Sequence, residues 1–394
     1  MGKVDILKIA KIAQEAKRIN PNVIDATIGM FYDDHKNLII PRVQKAFYDL
    51  NILETFQYGS TDGGKEFEEN LLDWVLDDKQ KILKSKFQVT GLSTPGGSGA
   101  LSLLFNAYGN IGDKVLLPSL RWRYEYFLNS AKLSGHEHNL FKDSKFDLED
   151  FQIQLSYLAS KQKTVIVVIN DPCHNPTGYQ LSKNEWHSII NIVNKFENNN
   201  IIIAYDIAYF DYNPLGFKEA RETFEYFLDL KPHVQVLTAF SASKSFAIYG
   251  VRLGGLIGLH HTKEQLDYFK KNVYEDVLGK WSTAPNVGIG IFNKVALQKD
   301  EYIIELNKLT SQLKERGDIF IKEAKENSLD IYPYKGGFFV LVKSDNPQYH
   351  FEQLINKNIY LIPMNNGLRV ALCGITTKEV YGLAKQIKDV VEGK

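Results

Sequence analysis

The sequence predicts an α/β protein: a mostly parallel sheet with helices on both faces, joined to a smaller α+β domain. Three observations point there. Short apolar runs recur through the middle of the chain, helical stretches lie between them, and the pattern changes near residue 300. With 394 residues the chain is long enough for two domains. We expect residues 41–300 to form the large domain, and residues 1–40 with 301–394 to form the small one.

The strands come first. DKVLLPS (113–119), KTVIVVIN (163–170), NIIIAYD (200–206), VQVLTAF (234–240) and GGLIGL (254–259) each read as one. Strands that are apolar on both faces belong in a parallel sheet buried under helices. NEWHSIINIVNKFEN (184–198) reads as such a covering helix, and NNN at 198–200 turns the chain into the next strand. From about 300, YIIELNKLTSQLKERGDIFIKEAKEN reads as one long amphipathic helix. GGFFVLVK, IYLIPM and LRVALCGI follow as short strands of a smaller sheet.

Composition narrows the function classes. Hydrophobic residues make up 44% and charged residues 24%, ordinary for a soluble globular enzyme. Lys+Arg equals Asp+Glu at 47 each, so no overall field draws the chain to nucleic acid or anionic lipid, and neither is expected as a partner. Cys173 and Cys373 make neither a disulfide framework nor a zinc set. They read as reduced thiols of a cytoplasmic protein, and no metal is expected. The opening MGKVDILKIAKIAQEAKRIN is amphipathic and charged throughout, unlike a signal peptide. No run approaches the ~18 apolar residues of a membrane span.

Polar clusters fall at strand ends, where parallel sheets place ligands. In STPGGSGALSLLFNAYG (93–109), glycines and a serine lead into an apolar helix, which suits either a phosphate or a plain cap. NDPCHNPTGYQLS (170–182) follows a strand, and Asn175 stands before a rigid Pro-Thr-Gly turn. In IIIAYDIAYFDY (201–212), Asp206 closes an apolar strand, a costly place for a carboxylate without a partner, though a helix cap would also explain it. SASKSFAIYGVRLGG (241–255) sets Lys244 among serines, with Arg252 eight residues on. An exposed lysine stays protonated near its reference pKa of ~10.4. Buried beside another cation it loses the proton more readily and becomes a nucleophile.

In this order the motifs resemble the aspartate aminotransferase family, the class I aminotransferases among the fold type I pyridoxal-phosphate enzymes. The resemblance runs from IDATIGMFYDD to LRVALCGI. It implies pyridoxal 5'-phosphate as cofactor, held by Lys244 as an internal Schiff base. Asp206 would pair with the pyridinium nitrogen, and Tyr209 and Asn175 would bond the ring's phenolate oxygen. Trp122 would stack on the ring, with Tyr124 as the alternative. Gly97, Ser98, Ser241 and Arg252 would hold the phosphate, Gly96 standing where many relatives carry serine. Tyr58 would reach the phosphate of a neighbouring subunit, making a homodimer with shared active sites. Arg369 would clamp the substrate's α-carboxylate, and the backbone at Gly29 would pass over the substrate.

One departure bears on specificity. Dicarboxylate-specific members bring a second arginine from the partner subunit, and the corresponding position here falls on or near Gly290, with Lys280 and Trp281 close by. With Phe31, Tyr32 and Trp281 expected near the substrate, the implied activity is an aminotransferase moving the amino group of an aromatic or broad range of L-amino acids to a 2-keto acid such as 2-oxoglutarate. An aspartate aminotransferase, or a pyridoxal-phosphate lyase of the same fold, is the alternative reading.

Overall fold

The computed structural model describes residues 6–393. Seven strands form its main sheet: β1 (Gln88–Thr94), β2 (Lys114–Pro118), β3 (Ser134–His138), β4 (Thr164–Asn170), β5 (Asn200–Asp206), β6 (Val234–Ser241) and β7 (Gly254–His260). Their order across the sheet is β1-β7-β6-β5-β4-β2-β3. From β6 through β3 every pairing is parallel. β7 runs antiparallel to both of its neighbours. The run at 254–259 is therefore the strand that breaks the parallel rule.

Alternation explains why these strands are apolar on both faces. Val165, Val167, Ile169, Ile201 and Ile203 enter one hydrophobic core with Phe151, Leu155, Trp186 and Ile189 of the helices Leu148–Ala159 and Lys183–Val193. Ile166, Val168, Ile202 and Ala204 enter the other, with Leu101, Leu104, Phe269 and Val273 of Gly96–Tyr108 and Lys263–Lys280. Each buried Val, Ile, Leu or Phe side chain among them contributes about 1.5–3 kcal/mol. The helix expected over 184–198 starts at a capping box, Ser182 with Glu185, and ends at Val193.

The C-terminal third builds a second, antiparallel sheet: Phe339–Lys343 pairs with Gly367–Ala371, which pairs with Ile362–Met364. The helix Lys299–Glu326 turns Leu306, Leu313 and Phe320 inward, at sevenfold spacing. IYLIPM is not one strand. It changes partners at the buried Leu361, and Ile359–Tyr360 pairs in parallel with Ile24–Asp25. Ala371 then donates its N–H to the Ala26 carbonyl at 2.9 Å, and Tyr32 donates to Cys373 at 2.9 Å. Residues 24–32 are thereby laid against the C-terminal strands.

Candidate active site

The site grows from one edge of the main sheet. β4, β5 and β6 end side by side, because Asn170 pairs with Asp206 and Asp206 with Ala239. Gly254, opening β7, faces Ser241 on one side and Thr94 on the other. The glycine-rich entry to Gly96–Tyr108, Asn170, Asp206 and Ser241 therefore share an edge, the place where parallel sheets receive ligands.

Asp206 is buried, and two donors make that tolerable. Tyr124 gives its hydroxyl hydrogen to Oδ2 at 2.7 Å, and the Ala208 N–H reaches Oδ1 at 3.1 Å. Burial still raises the carboxyl above its ordinary range, against the pull of both donors and of the Lys244 charge. Asn170 ties the edge together: its amide donates to the Asp206 carbonyl at 2.9 Å, and its side-chain oxygen accepts the Asn175 N–H at 2.8 Å.

Lys244 leaves β6 on a single helical turn, Ala242–Ser245. The half-buried ammonium lies 4.7 Å from the centre of the Tyr249 ring. Burial, with Arg252 and Arg369 pushing the same way, brings its pKa down from 10.5 to about 8. A fraction of the side chain is then a neutral amine at neutral pH, the form that attacks carbonyl carbon.

Opposite, Asn175 gives an amide hydrogen to the Tyr209 hydroxyl at 3.4 Å and accepts one from Arg369 at 3.2 Å. Arg369 also donates to the Thr27 carbonyl at 2.9 Å and lies 4.3 Å over the Phe339 ring. Its Nε is buried without a hydrogen-bond partner among the described residues. Burial pulls this guanidinium down to about 10. A charged fork with a spare donor fits a carboxylate. Gly29 belongs to the same wall, since a Cβ there would come within 2.6 Å of the Phe339 ring.

The other end fits a phosphate. Gly96–Tyr108 begins without a side-chain cap, so its first N–H groups have no side-chain acceptor. Gly96 has φ 73°, and a Cβ there would lie 2.5 Å from Nη2 of Arg252. Arg252 fills the room a serine would take. It donates to the Ser243 hydroxyl at 3.1 Å and the Tyr249 carbonyl at 2.8 Å. A Cβ at Gly97 would come 3.2 Å from that of Ser241, so the absence of side chains keeps this cradle open.

Nine of the expected residues line one cleft of about 120 Å³: Gly97, Ser98, Trp122, Asn175, Asp206, Tyr209, Ser241, Lys244 and Arg252. An amine, a buried carboxylate, an aromatic wall and an anion cradle in one cleft match the needs of pyridoxal phosphate. Trp122, held by Tyr124 and Phe127, is the aromatic wall, while Tyr124 stands behind Asp206. Tyr58 is 97% exposed and does not line this chain's own cleft.

The substrate side departs further from expectation. Phe31 turns into the core against Tyr212 and Phe338, at 2% exposure. Tyr32 is half-buried and lends its carbonyl to Arg316. Trp281 packs beside Gly99, and Lys280 pairs with Asp276 at 3.5 Å. A Cβ at Gly290 would meet Leu50 at 2.7 Å, so no cation projects from there. Tyr124, as a donor to Asp206, and Asn170 escaped the sequence reading. Asn170 carried the same signal as Asp206, a polar residue closing an apolar strand.

The model of the family described as aminotransferase class I and II matches residues 21–387. An aromatic-amino-acid aminotransferase of Pseudomonas aeruginosa is 28% identical over 283 residues, 70% of this chain and 68% of that one. The crystal structure of an aminotransferase from Anaerococcus prevotii superposes with a TM-score of 0.93 at 27% identity, covering 98% of this chain and 96% of that chain. An aromatic-amino-acid aminotransferase from Burkholderia pseudomallei, solved covalently bound to pyridoxal phosphate, shares the fold with a TM-score of 0.81 at 18% identity, covering 99% and 98% of the two chains.

Proposed function

We propose that this chain, which belongs to the class I and II aminotransferase family, moves the amino group of an aromatic or broad range of L-amino acids to a 2-keto acid such as 2-oxoglutarate. It is a transaminase, and its cofactor is pyridoxal 5'-phosphate. The observation that carries this reading is the meeting of Lys244 and Asp206 in one cleft, with Arg369 tied to the same wall through Asn175.

When bound, pyridoxal phosphate supplies an electron sink that makes the Cα–H of an amino acid acidic. The chain's residues do the rest. Gly97, Ser98, Ser241 and Arg252 would hold the phosphate of the bound cofactor, and Trp122 would cover its ring. Asp206, which accepts from Tyr124, would keep a proton on the ring nitrogen. Tyr209 and Asn175 would donate toward the ring oxygen. Arg369 takes the α-carboxylate and fixes which bond at Cα faces Lys244. Lys244 Nζ removes the Cα proton and later returns one, with a pKa near the working pH as a general acid and base requires.

The donor class follows from what surrounds the site. Gly290 offers no cation to a second carboxylate. A larger cleft, about 400 Å³, has walls from Leu120, Trp122, Pro176, Leu341 and Ile362 and suits a large apolar side chain. The active unit is a homodimer in which Tyr58 completes the partner's phosphate site. The exposed Phe47, Ile52, Leu53 and Phe56 near Tyr58 support that reading. Two free, buried thiols suit the cytoplasm.

The test begins with a visible absorption spectrum of protein loaded with pyridoxal phosphate. Borohydride treatment and peptide mapping should place the cofactor on Lys244. Phenylalanine should then bleach the visible band, and the amino group should appear on 2-oxoglutarate one for one. Release of ammonia without amination would point to elimination instead. A mixture that stays colourless ends the reading.

A further inference from the structure

The proposed reaction poses an alignment problem. Lys244 and Arg369 stand on different parts of the chain, yet the lysine must reach a Cα that the arginine holds. A misplacement of about 1 Å between such groups can cost about 100-fold in rate. The turn that follows Lys244 supplies a side chain that touches both.

Tyr249 is that side chain. Its ring centre lies 4.7 Å from Lys244 Nζ. Its carbonyl accepts from Arg252 in the anion cradle at 2.8 Å. Its hydroxyl accepts the Phe31 N–H at 2.8 Å, across 218 residues of sequence. Phe31 lies just beyond Thr27, whose carbonyl seats the Arg369 guanidinium at 2.9 Å, and Gly29 between them closes on the Phe339 ring. The hydroxyl therefore fixes the far end of the segment that seats Arg369, while the ring faces the amine. A ring face attracts an ammonium and not a neutral amine. The charged and titratable groups around Lys244 come from other elements. Asp206, from the end of β5, and Cys373, from the turn after the C-terminal sheet, favour its charge, while Arg252 and Arg369 oppose it. The Tyr209 ring stands farther off, at 5.9 Å.

We propose that Tyr249 is a positioning residue that couples the substrate wall to the reacting amine: its hydroxyl pins residues 27–31, and with them Arg369, while its ring steers the Lys244 ammonium. The two duties can be removed apart. Tyr249→Phe keeps the ring and takes only the hydroxyl, and Tyr249→Met takes both. The inference rests on the transaminase reading, and measurements on the apoprotein separate the two.

Hydrogen exchange of the apoprotein reads the first duty. In Tyr249→Phe the Phe31 amide loses its acceptor, so the peptide across residues 27–32 should exchange about 5-fold faster, the worth of one hydrogen bond. The strand Thr164–Asn170 should exchange as in the wild type. In the loaded enzyme, the KM for the amino-acid substrate should rise by a similar factor, with the smaller share of the loss in kcat. Reductive methylation of the apoprotein with formaldehyde and cyanoborohydride, quantified at Lys244 by peptide mapping across pH, reads the second duty. Its midpoint should stay at the wild-type value in Tyr249→Phe. In Tyr249→Met it should fall by about 0.5–1 pH, as the ammonium loses its ring. Unchanged exchange at 27–32 in Tyr249→Phe, or a midpoint that does not fall in Tyr249→Met, overturns the proposal. Wild type that transfers no amino group defeats the transaminase reading. Exchange and methylation need no cofactor, so they still decide the role of Tyr249.

Discussion

The two sides of this cleft are built differently. On the cofactor side, Thr94, Asn170, Asp206 and Ser241 are the last residues of four strands, and the backbone register alone puts them on one edge. On the substrate side, Arg369 is placed by Thr27 and Asn175, 342 and 194 residues away in sequence. A sheet edge presents its end residues whatever surrounds it. A wall assembled from distant segments depends on how each one packs.

The sharpest test of the comparison is at the edge. Lys244→Ala should keep the fold, by circular dichroism, and lose at least about 10²–10⁴-fold in turnover, the usual share of a positioned acid and base. Near-normal turnover would break the assignment of chemistry to this side. The same residue predicts a pH dependence. Its amine is depressed from 10.5 to about 8, so the rate at which borohydride traps an aldehyde on the protein should climb through pH 8. A midpoint above pH 10 would mean the burial argument fails.

On the wall, Arg369→Ala should lower kcat/KM by about 30- to 1,000-fold, the cost of leaving a carboxylate without its buried partner. Most of it should enter through KM. A fall in kcat alone would place Arg369 with the chemistry and erase the division. Tyr124→Phe should have a smaller effect, about 10-fold in kcat, because Asp206 keeps the Ala208 N–H. Tyr124 lowers the Asp206 pKa, so its removal should move the acid limb of the pH profile upward. An unmoved limb would make Tyr124 merely structural. Smallest of all, Gly96→Ala should destabilise by about 1 kcal/mol in chemical denaturation, since φ 73° lies in the left-handed region that favours glycine.

The division also explains what could be read from sequence. The strands at 164–170 and 200–206 announce themselves as unbroken apolar runs because both faces are covered. SGHEH (134–138) gave no such signal, for it is one of the sheet's two edge strands and mostly exposed. QVTGLST (88–94) hid for another reason. It pairs with the glycine-rich β7, and helix Lys65–Leu76 presses close: Cβ atoms at Gly91 and Gly255 would come 3.1 and 2.5 Å from Leu71. Small residues replace the expected large ones there. On the substrate wall, the family resemblance puts Phe31 near the substrate, yet its ring packs inward against Tyr212.

The crowding of Gly96 against Arg252 has a consequence for anyone redesigning the anion cradle. The two positions act as alternatives for one volume: a hydroxyl can enter at 96 only if the guanidinium withdraws. A variant library should therefore vary them together, since single changes at either position explore only half of the available solutions.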